Sequence, residues 1–243
     1  ISWIWAFHYF KNSSSFRPEI FVKMLNGLVC NAQHIERYLS TYSSPNTHLT
    51  GEALGLYFIG TFLRGFAGAE RWARIGYEIL IGELERQIRA DGGYVEQATH
   101  YQRYTADFYL ALAILRRAEG RRLDTVHEAK LAKLLEFLMC LVQPNGEAPL
   151  TGDEDGGRLH FFDDRGIADL RPTLSVGAAV FNDGRLKFAS GDASVELLWL
   201  MGPAGLAAFD ALNRVPMRET ARAFQESGVY VVRDSANFVV IDC

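Results

Sequence analysis

The feature that most constrains this chain is a helical periodicity that recurs over its first two-thirds. Apolar residues return every three or four positions in long segments, which is the spacing of one face of an α-helix. Short turn clusters, such as residues 43–46, separate the segments. Long helices joined by short turns pack as antiparallel pairs. The pattern therefore predicts a mainly helical chain with antiparallel helix pairs over residues 1–143, and no parallel β-sheet in that span.

The predicted helices begin and end at recognisable signals. Pro18 suits the first turn of a helix, and Asn46 is a good N-cap residue. Glycines after residues 91 and 119 are expected to end helices. We find no fixed repeat period, which disfavours tetratricopeptide and armadillo arrays. The predicted helices span residues 18–39, 47–63, 69–89, 101–119 and 125–142, with two shorter ones near 193–201 and 203–212.

The end of the chain has a different pattern. Residues 228–233 and 237–242 are rich in β-branched side chains and flank a short polar turn, which predicts a β-hairpin. An isolated hairpin is only marginally stable, so we interpret it as the start of a larger sheet and the chain as a piece of a longer protein. Its exposed strand edges would favour self-association.

Composition and charge exclude several function classes. The formal net charge of −4 leaves no basic excess to neutralise a phosphate backbone, so nucleic-acid binding is not expected. The longest apolar run, residues 197–209, is too short to span a bilayer. Three widely spaced cysteines predict neither a disulfide framework nor a zinc site. The Asp153-x-Asp155-Gly segment lacks the other ligands of an EF-hand, and no metal or cofactor is predicted.

Two segments place polar and titratable side chains at predicted helix starts, residues 44–53 and 91–107. Alternate helix starts in stacked pairs can face the same end of the molecule, so these side chains can converge on one cleft. Helix N-termini carry partial positive charge, which favours an anionic ligand there. The candidate residues are Asn46, His48, Glu52, Glu96, His100, Tyr101, Arg103 and Tyr104.

Three motifs occur in order along the chain. They are Asn46-Thr-His-Leu-Thr-Gly-Glu-Ala53, Asp91-Gly-Gly-Tyr-Val-Glu-Gln97 followed by His100-Tyr-Gln-Arg-Tyr104, and Gly152-Asp-Glu-Asp-Gly-Gly-Arg158. Together they resemble the heparinase II/III-like polysaccharide lyases. The resemblance covers essentially the whole chain and implies an incomplete (α/α) toroid over residues 1–222, followed by the first strands of a β-sandwich domain over residues 223–243.

The resemblance also implies cleavage of uronic-acid polysaccharides by β-elimination. The asparagine of the family motif falls on Asn46 and its catalytic tyrosine on Tyr101, so we expect both to face one groove. An amide at Asn46, helped by His48, suits neutralisation of the uronate carboxylate, while Tyr101 suits the base or the acid. For the base role the pKa of Tyr101 must fall, and Arg103 or a protonated histidine is expected to lower it. Substrate-binding roles are expected for Glu52, Glu96, His100, Arg103 and Tyr104.

The family also uses a histidine from its β-domain, in a segment that would lie beyond Cys243. The chain by itself is therefore expected to have little or no activity. The expected partner is an anionic polysaccharide or oligosaccharide. We favour a periplasmic or cell-envelope location over a cytoplasmic one.

Two other functions remain open. A non-catalytic carbohydrate-binding or envelope-polysaccharide assembly module could use the same fold, and a cleft blocked by apolar side chains would favour it. A glycoside hydrolase would need two carboxylates about 5–10 Å apart across the cleft, with Glu52 and Glu96 as candidates. Plain structural roles also exist, such as a helix cap at Asn46 or an Arg103–Asp107 pair one helical turn apart.

Overall fold

A computed structural model describes residues 1–234 and 237–243. The chain separates into two compact units, Ile1–Glu83 and Leu84–Cys243. Each unit has its own buried apolar side chains. None of the helices in the described residues is both long enough and apolar enough to cross a membrane.

The first unit consists of helices. They are α1 (Ser2–Phe10), α2 (Pro18–Arg37), α3 (Thr47–Phe62) and α4 (Ala69–Gln87), the last of which continues beyond the unit. Their bounds confirm the predicted helices to within two residues. The exception is α1, which has no predicted counterpart and packs Phe7 against the rings of Phe16, Phe21 and Phe62.

Glycines allow α3 and α4 to approach closely. A Cβ atom on Gly60 would lie 2.4 Å from the backbone nitrogen of Ala73, and one on Gly76 would lie 2.5 Å from the carbonyl oxygen of Ala53. Real Cβ atoms are not found at such distances from backbone atoms. The two helices therefore make backbone contacts at positions where any larger residue would push them apart.

The second unit has two predicted helices at its start. α5 (Thr99–Ala118) and α6 (Thr125–Leu141) begin and end within two residues of the predicted bounds. Within residues 1–143, all of which the structure describes, there is no parallel sheet, as predicted. Two short helices were also predicted, near residues 193–201 and 203–212. In the structure they correspond to the two parts of α9 (Val195–Ala211), which is interrupted at Gly202.

Helices α7 (Arg171–Phe181) and α8 (Gly184–Ser190) were not predicted. Nearly every residue of α7 between Pro172 and Val180 is buried, so the helix has no polar face to produce an amphipathic period. The helix α8 is too short to show a period, and its Lys187 is buried and donates hydrogen bonds to three carbonyl oxygens at the end of α9.

An antiparallel sheet ends the second unit. Its strands are β1 (Ala221–Phe224), β2 (Val229–Arg233) and β3 (Phe238–Asp242), in the order β1-β2-β3. The predicted hairpin is confirmed as β2 and β3, and β1 is a strand that was not predicted. Ser235 and Ala236, in the predicted turn, lie outside the described residues. The predicted domain boundary at 222/223 falls within β1, and the division into toroid and β-domain stays a prediction.

Both apolar and polar contacts attach the sheet to the rest of its own unit. The ring of Phe224 packs on that of Phe137 from α6, with the centroids 4.4 Å apart. Asp91 accepts hydrogen bonds from the amide of Ser227 (2.9 Å) and from its hydroxyl (2.8 Å). These contacts hold the β1–β2 turn against the segment that precedes α5.

Candidate functional site

In the first unit, Asn46 lies directly before α3 and caps it. Its Oδ1 atom accepts a hydrogen bond from the backbone amide of His48 at 3.1 Å, which is the usual geometry of an N-cap side chain. The side chain of His48 is exposed in the first turn of α3. The structural role that the sequence allowed for Asn46 is therefore present, and its catalytic role stays a prediction.

Glu52, one turn further along α3, is engaged by Ser40. Its two carboxylate oxygens accept hydrogen bonds from the backbone amide of Ser40 (2.7 Å) and from its hydroxyl (2.6 Å). These bonds tie the segment after α2 to α3. Glu52 therefore has a structural role, and its predicted contact with substrate stays a prediction.

In the second unit, the first turn of α5 carries the predicted catalytic tyrosine. The phenol of Tyr101 donates a hydrogen bond to Oδ2 of Asp155 at 3.3 Å. The neighbouring His100 is buried, and its Nε2 atom lies 3.6 Å from Oδ1 of the same carboxylate. Asp155 thus lies between two of the predicted site residues.

The loop that carries Asp155 is fixed against the start of α5. The amide of Thr99 donates to the carbonyl oxygen of Thr151 at 3.1 Å, and its hydroxyl donates to that of Pro149 at 2.8 Å. A Cβ atom on Gly157 would lie 3.4 Å from the ring of Tyr104 and 3.5 Å from that of His100. The loop therefore follows the helix surface closely enough to hold the Asp155 carboxylate in place.

The electrostatics at Tyr101 overturn one expectation. Partial burial and the negative charges of Asp155 and Asp153 raise the pKa of the Tyr101 phenol, whereas the base role was expected to require a lowered pKa. Burial also lowers the pKa of His100, so this ring is neutral at pH 7 and supplies no positive charge. Tyr101 is therefore protonated at neutral pH.

Arg103 does not supply the missing positive charge, because it is buried among other partners. Its Nε atom lies 3.2 Å from the hydroxyl of Thr173 and 3.5 Å from the carboxylate of Asp107, one helical turn along α5. That carboxylate also accepts a hydrogen bond from Thr173 at 2.7 Å. Burial raises the pKa of Asp107 despite the nearby Arg103. The structural pairing that the sequence allowed is present, and the predicted binding role of Arg103 is untested.

Glu96 and Tyr104 complete the predicted residues of this unit. Glu96 accepts a hydrogen bond from the phenol of buried Tyr94 at 2.8 Å. The ring of Tyr104 packs on that of Phe108, with the centroids 4.3 Å apart. Their substrate contacts stay predictions.

The structure thus brings the predicted residues together in two groups. His100, Tyr101 and Tyr104 surround the Asp155 loop in the second unit, and Asn46, His48 and Glu52 share the start of α3 in the first. A common groove for Asn46 and Tyr101 stays a prediction, as does the Glu52–Glu96 separation that a hydrolase would need.

Sequence reasoning did not place Asp155 among the candidate site residues, and so missed its contact with Tyr101. The signal that could have found it is its place in the third motif, three residues before Arg158. Among the residues that the structure describes, no group of three or more histidine, cysteine or acidic side chains is arranged to hold a metal ion.

Comparison with known proteins gives consistent matches. Residues 2–160 match the family model of the heparinase II/III N-terminus. A heparin-sulfate lyase from Bacteroides thetaiotaomicron is 33% identical over 139 residues, which are 56% of this chain and 20% of that protein. A heparin-sulfate lyase from Pedobacter heparinus is 27% identical over 151 residues, which are 61% of this chain and 22% of that protein. The chain therefore matches about a fifth of the length of these relatives.

Solved structures show the same fold. The crystal structure of heparinase III superposes with a TM-score of 0.70 at 24% identity, over 96% of this chain and 34% of that one. The heparan sulfate lyase HepC from Pedobacter heparinus superposes with a TM-score of 0.63 at 18% identity, over 93% of this chain and 32% of that one. These likenesses confirm the predicted fold class. Since the family model covers well over half of the chain, the chain belongs to the heparinase II/III family of polysaccharide lyases.

Proposed function

We propose that this chain is the helical part of a lyase that cleaves a uronate-containing polysaccharide by β-elimination, with Tyr101 as the proton donor. The observation that carries the proposal is the Tyr101–Asp155 hydrogen bond at the start of α5, at the position of the tyrosine in the family motif. The relatives are named as heparin-sulfate lyases, which supports a sulfated uronate polysaccharide as the substrate class.

The reaction requires an acid and a base. The base removes the proton on C5 of the uronate, the electron pair forms the C4=C5 double bond, and the C4–O bond to the leaving sugar breaks. The leaving oxygen then takes a proton from an acid. Burial and the charges of nearby carboxylates raise the pKa of the Tyr101 phenol, so it keeps its proton at neutral pH and is suited to give it.

Asn46 is proposed to stabilise the charge that develops on the uronate carboxylate. Amide groups stabilise such charge best when they are already oriented toward it. The cap hydrogen bond to the His48 amide fixes the orientation of the Asn46 side chain on α3. His48, exposed in the same turn, is proposed to assist in binding the carboxylate.

The base is proposed to be the histidine that the family resemblance places beyond Cys243. The 243-residue chain alone is then expected to have little or no turnover, since loss of one acid–base group commonly costs about 10²–10⁴ in rate. A version of this chain extended through a β-domain should recover activity. Equal turnover by both versions would show that this histidine is dispensable.

The proposal is tested with the full-length natural protein and a panel of heparan sulfate, chondroitin sulfate, hyaluronate and alginate. Elimination creates a conjugated double bond that absorbs in the ultraviolet, whereas hydrolysis does not. Tyr101→Phe should lower kcat by about 10²–10⁴. The matched control is Tyr230→Phe, on the exposed face of β2, which should leave kcat unchanged.

Other outcomes would contradict the proposal. Cleavage without the new absorbance would indicate a hydrolase, and saturable binding without cleavage would indicate a carbohydrate-binding module. Unchanged turnover in Tyr101→Phe would show that Tyr101 takes no part in the reaction.

A further inference from the structure

A pocket in the Leu84–Cys243 unit is lined by arginines. It has a volume of about 290 Å³ and lies between the end of α6, the start of α8 and the strands β1 and β2. Its floor contains apolar side chains, among them Met139 and Val231. The charged residues that line it are Arg185, Arg218, Arg222, Arg233, Glu136 and Glu219.

Strand geometry directs two of these arginines to the same side of the sheet. Arg222 on β1 is paired directly with Val231 on β2, so the two side chains lie on the same face. Arg233 follows Val231 by two residues and therefore shares that face as well. The two guanidinium groups thus flank the apolar floor from neighbouring strands.

The side chains of Arg222 and Arg233 are held in place before any ligand arrives. The guanidinium of Arg233 donates to the carbonyl oxygen of Cys140 and lies 5.3 Å from the ring centroid of Phe238. The guanidinium of Arg222 lies 5.6 Å from the ring centroid of Phe224. Groups that are already ordered lose less conformational entropy when a ligand binds.

The pocket has an excess of positive charge. Glu136 accepts a hydrogen bond from Arg222 at 3.1 Å and lies 3.7 Å from Arg185. Glu219 lies 3.4 Å from Arg222, and Arg218 is exposed. Asp183, outside the lining, lies 2.8 Å from Arg185. Four guanidinium groups thus face three carboxylates, which leaves an excess of one positive charge.

We propose that this pocket binds a tetrahedral dianion, either as free phosphate or sulfate or as a small phosphate monoester. The planar fork of arginine binds tetrahedral oxyanions through two parallel hydrogen bonds, and the excess positive charge of the pocket favours an anionic ligand. The apolar floor suits the organic part of an ester. The site is independent of the proposed lyase chemistry and uses none of its residues.

In this proposal Glu136 competes with the ligand. Its carboxylate already accepts a hydrogen bond from Arg222 and lies 3.7 Å from Arg185. An incoming dianion must share or replace these interactions, so removing the charge of Glu136 should tighten binding. A merely structural cluster of ion pairs would not respond in this way.

The test is isothermal titration of the full-length natural protein with inorganic phosphate, inorganic sulfate and phenyl phosphate at constant ionic strength. We expect saturable binding that Arg218→Gln and Arg222→Gln each weaken by about tenfold, the effect of losing one hydrogen bond to a charged group. Glu136→Gln should strengthen binding several-fold. Tighter binding of phenyl phosphate would identify an ester as the ligand, and equal binding would identify the free anion.

The matched control is Arg214→Gln. Arg214 is an exposed arginine close in sequence that pairs with Asp192 and does not line the pocket. Because Arg218 is exposed, its substitution should leave the fold intact even if Arg222→Gln does not. Absence of saturable binding, equal weakening by Arg214→Gln, or no gain in Glu136→Gln would overturn the proposal.

Discussion

Asp155 accepts a hydrogen bond from the phenol of Tyr101, with 3.3 Å between Oδ2 and the phenol oxygen. The two residues are 54 positions apart in the sequence, and the loop that carries Asp155 is held against α5 by Thr99. A negative charge beside a phenol opposes the loss of its proton. This relationship supports the proposed role of Tyr101 as a proton donor, since the role of a base would require a lowered pKa.

Asp155→Asn should lower the pKa of Tyr101. The substitution removes the charge and the acceptor that now help to raise this pKa, so the phenol should ionise at a lower pH. The measurement is the ultraviolet difference spectrum of tyrosinate as a function of pH. In a Tyr101→Phe background, Asp155→Asn should no longer change the titration of tyrosinate.

Asp153→Asn is the control for the Tyr101 titration. Asp153 acts on Tyr101 through its charge without a hydrogen bond, so its substitution should give a smaller shift in the same direction. A Tyr101 titration that is the same in the parent protein and in Asp155→Asn would contradict the proposed interaction.

Gly76→Ala should destabilise the first unit by about 1–3 kcal/mol, the usual cost of an added methyl group in a tightly packed contact. Its Cβ atom would lie 2.5 Å from the carbonyl oxygen of Ala53 and 2.7 Å from the amide nitrogen of Tyr57. Gly82→Ala, in the same helix, is the matched control because nothing lies within 4 Å of its Cβ position. It should stabilise the helix by about 0.5–1 kcal/mol. Urea unfolding measures the free energy of unfolding of both variants. Equal changes in the two would refute the close approach of α3 and α4.

Asp91→Asn should weaken the attachment of the sheet by about 1–2 kcal/mol at pH 7, because it removes charged hydrogen-bond acceptors of Ser227. Burial alone would raise the pKa of Asp91, but hydrogen bonds from Gly93 and Ser227 lower it below 3.8. Its stabilisation is therefore complete above the unfolded-state pKa and is lost as the pH falls through the lower folded-state value.

The difference in unfolding free energy between the parent protein and Asp91→Asn should accordingly shrink below about pH 4. Asp192→Asn is the control, since that carboxylate is exposed and forms a surface pair with Arg214. It should change the free energy of unfolding by less than about 0.5 kcal/mol. A difference for Asp91→Asn that stays constant down to pH 2 would contradict the role given to its charge.

Cys140 should react with a thiol reagent far more slowly than Cys30. Burial raises the pKa of the Cys140 thiol to about 11, so at pH 8 only about one thiol in a thousand is ionised. Cys30 is exposed. Peptide mass spectrometry after timed alkylation measures both residues, and similar rates in the native protein would show that Cys140 is accessible.

The sequence by itself determined the positions of most helices, because their signals are local. Pro18 and Asn46 mark helix starts, and apolar residues at three- and four-residue spacing show which face each helix buries. The motifs that identify the family are also short stretches of neighbouring residues. The candidate residues could therefore be found, along with their places at helix starts.

Only the tertiary structure decided which side chains meet. Helix α7 escaped prediction because burial on nearly all sides removes the amphipathic period, and the Asp155–Tyr101 contact depends on how a distant loop packs on α5. The charge around Tyr101 likewise came from this loop, while Arg103, two residues from Tyr101, turned inward to Asp107. Propensities and caps act over a few residues, whereas burial, pKa shifts and ion pairs depend on groups that folding brings together from distant parts of the chain.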